Sequence, residues 1–290
     1  MNNVYNYVII SPVRNEEEFI IHTLESVCNQ SIRPIEWIIV DDGSTDSTPE
    51  IILEFIKTHS WIKYLRRNDR GYPEPGRGII EAFYYGFENL SSSHFDFIVK
   101  LDGDLSFKCH YFETIFSRFK DNPRLGIASG ICFILKNGHL VEEKHPRFHT
   151  RGPTKIYRKE CFDQIGGLIK HLGWDTLDEI KANYLGWQTS SFEDLHLTHF
   201  KPTGFNTGSF RWAVKLGSSN YYTGYHPLFM VAKALYRLPQ KPFVLGSVAI
   251  LFGYYRNLIA RKKTIVSPDL RHFLRREQIK RLVGLKSLWR

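Results

Sequence analysis

The sequence has little cysteine, and no two cysteines have the C-x-x-C spacing of a metal site. Four cysteines occur among 290 residues, namely Cys28, Cys109, Cys132 and Cys161. Without a C-x-x-C pair they give no zinc site and no disulfide framework, and their scatter suits a reducing compartment. A G-x-G-x-x-G motif is also missing, which argues against a dinucleotide-dependent oxidoreductase.

Signals for export and for nucleic-acid binding are missing as well. The opening residues MNNVYNYVII contain neither a basic segment nor a cleavage site, so we expect no signal peptide. No RNP, KH or helix-turn-helix motif supports a nucleic-acid partner. Apolar material is ample: 42% of the residues are hydrophobic and 14% are aromatic. This composition predicts a packed core, and the length predicts one large domain with or without an appendage.

Positive charge is concentrated near the C-terminal end. Residues 256–290 hold 11 Lys/Arg against two acidic residues, whereas the first 255 residues are neutral overall. The preceding run at 243–255 carries no charge and is too short to span a bilayer comfortably. Two interpretations stay open: a core helix, or an interfacial segment on lipid with the basic tail against anionic headgroups.

The first half alternates short apolar strands with amphipathic helical patterns. We predict strands at residues 4–10, 37–40, 61–65 and 95–101, and helices at 16–29, 47–59, 78–90 and 111–120. This alternation predicts a mostly parallel, Rossmann-like sheet with helices on both faces. Because ligands bind beyond the carboxyl ends of such strands, the polar clusters after strands one, two and four should share one crevice.

After residue 126 the pattern changes. We expect a hairpin at 127–142, a strand and helix at 156–167, a helix at 175–185 and a strand at 188–192. Residues 201–224 are rich in Gly, Ser, Thr and Asn, which is typical of a long loop. We therefore predict a lid or acceptor loop at 201–225, with Arg211 and Lys215 as candidate contacts for an acceptor or diphosphate.

Asp102, Gly103 and Asp104 directly follow the fourth strand. Two carboxylates one residue apart can both reach a hard divalent cation, and the glycine lets the backbone turn between them. Mg²⁺ or Mn²⁺ held by few protein oxygens completes its shell with substrate phosphates and neutralises a diphosphate leaving group. The other interpretation is a solvated turn, since Asp-Gly is common in turns.

A second acidic pair, Asp41 and Asp42, lies at the tip of the second strand in the segment V-D-D-G-S-T-D-S-T. Such a pair can accept hydrogen bonds from a base N–H or from ribose hydroxyls. The alternative is a capped loop that leads into the next helix. The segment S-P-V-R-N-E at residues 11–16 follows the first strand and is either another wall of that pocket or a helix entry.

Together these motifs resemble the family 2 glycosyltransferases, which have the GT-A nucleotide-sugar fold. The resemblance covers about residues 4–200 and includes both loops above, the L-D-G-D strand end, Y-R-K-E leading to I-G-G, and W-D-T followed by G-W. It implies a nucleotide-sugar donor whose base and ribose are bound by Ser11, Pro12, Arg14, Asp41 and Asp42.

The resemblance also assigns the diphosphate end of the donor. Asp102 and Asp104 would lie at ribose, diphosphate and metal, and Arg77 matches a position before the third helix that is usually basic. His199 occupies a place where similar enzymes often have a histidine near the metal or diphosphate. A structural histidine is the alternative for this residue.

Inverting transfer further needs a carboxylate that removes the proton of the acceptor hydroxyl. In the family this group usually lies in an acidic pair shortly before a Gly-aromatic pair, and counting back from G-W identifies Asp175. The preceding acid is replaced by Trp174. Asp178 and Glu179, one turn later, are rivals, or all three carboxylates only decorate a helix N-terminus.

Two other functions fit part of the pattern. A sugar-phosphate nucleotidylyltransferase has a related sheet, but it needs a Gly-rich basic loop after the first strand, which S-P-V-R-N-E is not. A non-catalytic nucleotide- or nucleic-acid-binding protein with a basic tail is the second. The Q-x-x-R-W signature and the membrane spans of processive synthases are missing, which argues for transfer of one sugar per encounter.

We therefore expect an inverting, metal-dependent glycosyltransferase that moves a sugar, from UDP by the family's usual preference, to a glycan or lipid-linked acceptor of cell-surface polysaccharide or glycolipid synthesis. The expected parts are a GT-A domain at 1–200 (nucleotide half 1–105, acceptor half 106–200), the loop at 201–225 and a helical basic tail at 226–290. Residues 239–290 would hold it peripherally on the cytoplasmic face of an anionic membrane. The alternative is a soluble glycan or protein acceptor, with the tail as a helical layer or dimer interface.

Overall fold

The structure, a computed structural model, describes residues 5–71, 76–136, 138–201, 209–239 and 243–289. The chain divides into two compact units, Met1–Lys201 and Pro202–Arg290. The first is mixed α/β, and the regular elements described in the second are all helices. The predicted α/β class with a mostly parallel sheet is confirmed.

The first unit alternates strands and helices up to its fourth strand. These elements are β1 (Tyr7–Val13), α1 (Ile20–Cys28), β2 (Glu36–Asp41), α2 (Thr48–Ile56), β3 (Ile62–Arg66), α3 (Arg77–Glu88) and β4 (Phe97–Leu101). Its second half contains β5 (Leu105–Phe107), α4 (Tyr111–Asp121), β6 (Leu125–Lys136), β7 (His139–Glu142), β8 (Thr154–Arg158), α5 (Lys159–Gln164), α6 (Trp174–Tyr184) and β9 (Gln188–His199).

One sheet joins all these strands in the order β3-β2-β1-β4-β8-β6-β9-β5, with β7 paired to β6. The first four strands are parallel to one another, whereas β8 runs antiparallel to β4. The carboxyl ends of β1, β2 and β4 therefore meet at one edge, which is where such sheets bind ligands.

Both faces of the parallel strands are buried, which is why helices cover both sides. Every residue of β2 is buried, as expected for a strand inside a doubly covered sheet. Tyr7 of β1 packs in one core with Phe112 of α4, at 5.2 Å between ring centroids. The next residue, Val8, points into the opposite core with Phe83 of α3.

Two strands are longer than the sequence pattern predicts. β1 continues through Ser11 and Pro12 to Val13, so these residues end a strand instead of following one. Pro12 is tolerated because the pairing of β1 with β4 stops at Ile10. β9 continues beyond residue 192 to His199, where it pairs with β5.

The second unit contains α7 (Ser209–Tyr222), α8 (Pro227–Arg237), α9 (Phe243–Ile259) and α10 (Pro268–Leu282). The loop predicted for 201–225 is therefore wrong over 209–222, and its residues 202–208 lie outside the described ones. The small residues of α7 allow it to cross α9 at close range. A Cβ on Gly217 of α7 would lie 2.0 Å from the carbonyl oxygen of Ile250 in α9. Within the described ranges, no helix is long and apolar enough to cross a membrane.

Candidate active site

The Asp-x-Asp motif forms the short connection between β4 and β5. Gly103 is required there by close packing, since a Cβ on it would lie 2.8 Å from Cγ1 of Val13. Asp104 is only 5% exposed. The motif is therefore a largely buried turn, and not the solvated turn that the sequence left open.

Asp102 is paired with a lysine buried in β4. Lys100 is 1% exposed, and its ammonium group forms an ion pair with Asp102 and donates to the carbonyl oxygen of Gly152 at 3.0 Å. Burial raises the pKa of Asp102, although the charge of Lys100 opposes this. The pair ties the metal-type motif to the chain segment before β8.

His199 lies beside Asp104 because β9 pairs with β5 at this point. Its Nε2 atom is 3.4 Å from Oδ2 of Asp104, and its Nδ1 atom is 2.9 Å from Oε2 of Glu143. Burial opposes protonation of His199, but hydrogen bonds with the two carboxylates outweigh it and raise its pKa to about 9. Glu143 is in turn held by Arg151 at 2.6 Å; sequence reasoning missed both residues.

The residues at this turn fit a divalent cation. A carboxylate oxygen of Asp104 and a ring nitrogen of His199 are close enough to share one small ion, and oxygen with imidazole nitrogen suits Mn²⁺. No group of three or more His, Cys, Asp or Glu side chains within the described residues is arranged to hold a metal. An ion at this pair would need further oxygens, which a substrate diphosphate supplies.

Lys201, which follows β9, connects the loop after β1 to Asp104. The backbone N–H of Lys201 donates to Oδ2 of Asp104 at 3.2 Å, and its ammonium group lies 2.8 Å from Oε2 of Glu16. Burial and the charge of Asp104 raise the pKa of Glu16 to about 8. The segments that follow β1, β4 and β9 therefore meet. The sequence predicted that the polar clusters after the first and fourth strands share one crevice, and this arrangement agrees with that prediction.

Two residues predicted to bind nucleotide are engaged within the protein. Asp41 is fully buried and accepts hydrogen bonds from the Ser44 N–H and the Tyr64 hydroxyl, both at 2.7 Å. The hydroxyl of Ser11 accepts from the indole N–H of Trp37 at 2.9 Å. Both side chains therefore form hydrogen bonds within the edge of the sheet. Pro12 follows Ser11 in β1 and pairs with Val40 of β2.

Asp42 faces a cluster of arginines. Its carboxylate pairs with Arg67 at 2.8 Å and with Arg70, and Arg14 donates to its carbonyl oxygen at 2.9 Å. The sequence analysis did not single out Arg67 or Arg70. Arg77, which it did single out, pairs with Glu81 at 2.7 Å. Glu81 lies 3.7 Å from both Arg67 and Arg70, so Arg77 joins the same charge network.

The three candidate bases on α6 have different surroundings. Asp178 is 2% exposed, and Oδ2 lies 2.9 Å from the buried ammonium group of Lys155 and 2.6 Å from the Tyr157 hydroxyl. Glu179 is paired with Lys155 at 3.0 Å and with His149 at 2.7 Å. Asp175 is only partly buried, and Lys155 contacts its backbone carbonyl oxygen.

Gly152 connects the start of α6 to the Asp-x-Asp turn. A Cβ on Gly152 would lie 3.6 Å from Oδ2 of Asp175, while its carbonyl oxygen binds Lys100, the partner of Asp102. The ring of Trp174 lies 5.3 Å from the Lys100 ammonium group and 5.5 Å from that of Lys155. Asp175 therefore lies beside Gly152, whose carbonyl oxygen accepts a hydrogen bond from the ion-pair partner of Asp102. Arg211 and Lys215 lie on α7 in the second unit.

A comparison with protein families and curated proteins gives consistent matches. A family model described as glycosyl transferase family 2 matches residues 8–174. The chain is 33% identical over 126 residues to the minor teichoic acid biosynthesis protein GgaA of Bacillus subtilis (strain 168), covering 42% of this chain and 26% of that protein. Two further relatives are covered over 45% and 20% of their lengths. The chain thus spans less than half of these curated relatives.

Solved structures share the fold. The mannosyltransferase PcManGT from Pyrobaculum calidifontis, in complex with GDP-Man and Mn²⁺, has a TM-score of 0.55 at 17% identity, over 98% of this chain and 82% of that one. S. aureus TarS 1–349 with UDP has a TM-score of 0.52 at 18% identity, over 88% and 72%. The fold is that of GT-A glycosyltransferases, and the family match covers more than half of the chain. The chain therefore belongs to glycosyl transferase family 2 and is a glycosyltransferase.

Proposed function

We propose that the chain is an inverting, metal-dependent glycosyltransferase that moves one sugar from a nucleotide-sugar to a glycan or lipid-linked acceptor. The observation that carries this proposal is the proximity of these groups: Asp104 lies beside His199, and Asp175 lies beside Gly152, whose carbonyl oxygen accepts a hydrogen bond from Lys100, the ion-pair partner of Asp102. Inverting transfer needs a leaving-group site and a base close to each other.

The donor nucleotide would bind along the ends of β1 and β2. Asp42 is the better candidate for hydrogen bonds to base or ribose, because the Asp41 side chain is fully buried, whereas that of Asp42, although paired with Arg67 and Arg70, keeps 12% exposure. Arg14 and Arg77 would contribute positive charge, and Ser11 and Pro12 would form the wall. A UDP-sugar is the first candidate, since TarS was solved with UDP, and a GDP-sugar is the second, since PcManGT was solved with GDP-Man.

Asp104 and His199 would hold Mg²⁺ or Mn²⁺, with Asp102 next to them at ribose and diphosphate. When bound, the ion supplies Lewis-acid stabilisation of the departing diphosphate. His199 must give up its proton to act as a ligand, and Glu143 orients its ring through Nδ1. Lys100 keeps Asp102 in place from inside the sheet.

Asp175 is the base that we propose. It lies in the first turn of α6, and among the described residues Lys155 forms its ion pairs with the rivals Asp178 and Glu179. Asp178 is poorly suited to this role, because its carboxylate is buried and neutralises Lys155. Removing a proton from an acceptor requires contact with that acceptor.

The acceptor and cellular site are further parts of the proposal. A relative that acts in teichoic acid biosynthesis supports a cell-surface polymer as the product, built on a glycan or a lipid-linked intermediate. Residues 239–290 would hold the enzyme on the anionic cytoplasmic face of the membrane, where lipid-linked acceptors are found. A soluble glycan acceptor, with the tail as a helical layer or dimer interface, is the alternative.

Substitution of Asp175 tests the base. Asp175→Asn keeps the side-chain size but removes the proton acceptor, so donor turnover should fall by about 10²- to 10⁴-fold. Nucleotide affinity and Tm should stay unchanged. Turnover is measured as nucleoside diphosphate release, with water as acceptor until the glycan is known.

Two further variants serve as a control and as a test of the rival base. Asp163→Asn removes an exposed carboxylate paired with Lys159 at the end of α5 and should keep wild-type turnover. Asp178→Asn should mainly lower Tm, because it removes a partner of the buried Lys155. Full turnover in Asp175→Asn, together with lost turnover at unchanged Tm in Asp178→Asn, would assign the base to Asp178 instead.

A further inference from the structure

Two buried lysines lie opposite each other in the sheet of the first unit. Lys100 of β4 and Lys155 of β8 are direct partners in the antiparallel pairing of these strands, so their side chains leave the sheet on the same face. Lys100 is 1% exposed and Lys155 is completely buried. Like charges directly opposite each other destabilise a sheet, and burial adds the cost of desolvating both ions. The pair therefore needs compensation from its surroundings.

Carboxylates supply part of this compensation. Lys100 forms an ion pair with Asp102. The ammonium group of Lys155 lies 2.9 Å from Oδ2 of Asp178 and 3.0 Å from Oε1 of Glu179. Burial opposes protonation of Lys155, but the charges of Asp178 and Glu179 outweigh it and raise its pKa. Lys155 therefore keeps its positive charge inside the protein.

The indole ring of Trp174 is shared by the two lysines. Its centroid lies 5.3 Å from Nζ of Lys100 and 5.5 Å from Nζ of Lys155. Trp174 is itself buried, and the attraction between a cation and the face of an aromatic ring is strongest where both are desolvated. The ring attracts both ammonium groups without adding a charge. An acidic residue in its place would add a fourth carboxylate to the three that already pair with the lysines.

The lysine pair also contacts both sides of the proposed site. The ammonium group of Lys100 binds Asp102 and donates to the carbonyl oxygen of Gly152 at 3.0 Å. That of Lys155 donates to the backbone carbonyl oxygen of Asp175. Asp102 belongs to the motif assigned to the donor, and Asp175 is the proposed base. The spacing between these two carboxylates therefore depends on how the lysine pair is held.

Trp174 connects the first turn of α6 to this pair. It is the first residue of α6 and directly precedes Asp175. Gly173 before it has a φ of 92°, a left-handed conformation that favours glycine. The ring of Trp174 belongs to the same core as Ile98 of β4 and Tyr157 of β8. Because Trp174 and Asp175 are neighbours in the chain, a displaced ring would move the base as well.

We propose that Trp174 is a positioning residue for the transfer reaction: its indole ring binds the Lys100–Lys155 pair and thereby holds Asp175 at its place relative to Asp102. This inference rests on the proposed function, because it takes Asp175 as the base. A displacement of about 1 Å can lower a rate by about 100-fold. Loss of the ring should therefore affect turnover more than donor binding.

Two substitutions of Trp174 separate its aromatic face from its bulk. Trp174→Leu keeps an apolar side chain but removes the ring, so kcat for nucleoside diphosphate release should fall about 10- to 100-fold. Trp174→Phe keeps an aromatic face and should recover most of this loss. The KM for the donor and the Kd for nucleoside diphosphate should stay within about threefold of wild type, because the residues assigned to the nucleotide are unchanged.

The matched control is Trp187→Leu. Trp187 is a half-buried tryptophan packed against the same core, and its indole N–H donates to Oε1 of Gln164 at 2.9 Å. Its removal should lower Tm while kcat keeps the wild-type value. An equal loss of kcat in Trp187→Leu and Trp174→Leu, or a Trp174→Phe variant as slow as Trp174→Leu, would reduce Trp174 to a packing residue and overturn the proposal.

NMR of the full chain with ¹³C-labelled lysine tests the ring contact without any activity. The face of an indole ring shifts nearby protons upfield, so the Hε signals of Lys100 and Lys155 should lie upfield and return toward ordinary values in Trp174→Leu. The signals of Lys170, which lies over the ring of Tyr84, should not move. Signals of Lys100 and Lys155 that are the same with and without the ring would contradict the contact.

The two measurements separate the possible failures. Lysine signals that respond to Trp174→Leu, with wild-type kcat in that variant, would overturn the positioning role and leave a structural contact. A wild type that releases no nucleoside diphosphate would contradict the proposed function and the positioning role with it, whereas the lysine signals would still report the contact. Tm of every variant is recorded, and Trp174→Met, which has a flexible apolar side chain, replaces Trp174→Leu if that variant does not fold.

Discussion

Residues of one helical turn can have opposite roles when their surroundings differ. Asp175 and Asp178 both belong to α6, yet Asp178 is 2% exposed while Asp175 is only partly buried. The sequence left them as rivals because the partner that separates them, Lys155, comes from β8. Likewise, Arg67 and Arg70 form ion pairs with Asp42, which lies at the end of another strand. The role of these arginines therefore cannot be predicted from their own segment of the sequence.

Glu179 should stabilise the first unit in a pH-dependent way. Burial opposes its ionisation, but His149 and Lys155 outweigh this and lower its pKa to about 2, from an ordinary value of 4.5. A lowered folded-state pKa means that the stabilisation is complete above the unfolded value and is lost as the pH falls toward 2. Glu179→Gln should therefore cost about 3 kcal/mol near neutral pH, because the buried Lys155 loses a partner.

Urea unfolding of wild type and Glu179→Gln across the acid range measures this effect. The difference in free energy of unfolding should be constant above the ordinary carboxyl pKa and shrink below it. Glu54→Gln, at an exposed ion pair with Lys57, is the control and should change little at any pH. A cost that stays the same down to the lowest pH would contradict the ion-pair explanation.

At the scale of elements, the sequence predicted most of the first unit and the helical character of residues 226–290, but not α7. The strands and helices up to β4 follow from alternation and helical spacing, because their apolar residues face a conventional core. The Gly and Ser residues of α7 are typical of a loop, whereas in the structure Gly217 and Gly253 allow α7 and α9 to cross at close range.

That crossing gives a test of its own. A Cβ on Gly253 would lie 2.1 Å from the carbonyl oxygen of Val214, so Gly253→Leu should force the helices apart. We expect a loss of about 2–3 kcal/mol in the stability of the second unit, as for overpacked cores. Val248→Leu, on the exposed face of the same helix, is the control. Thermal unfolding followed by circular dichroism measures both, and equal Tm values would contradict the close packing.

At the scale of the whole molecule, the two units differ sharply in charge. The first 201 residues hold 23 Lys/Arg against 28 acidic residues, and the remaining 89 carry a net charge of +14. The acidic unit contains the proposed cation and donor site, and the basic unit contains residues 239–290, which are proposed to contact the membrane. This division of charge could be predicted from the sequence.

The central claim is that Asp104 and its neighbours bind a nucleotide-sugar through a divalent cation and release its nucleoside diphosphate. The direct measurement is nucleoside diphosphate release from a panel of UDP-, GDP- and dTDP-sugars with Mn²⁺ or Mg²⁺. We predict release from one donor class, lowered about 100-fold or more in Asp104→Ala and unchanged in Asp163→Ala. Pyrophosphate in place of nucleoside diphosphate, no release from any donor, or an undiminished rate in Asp104→Ala would contradict the account.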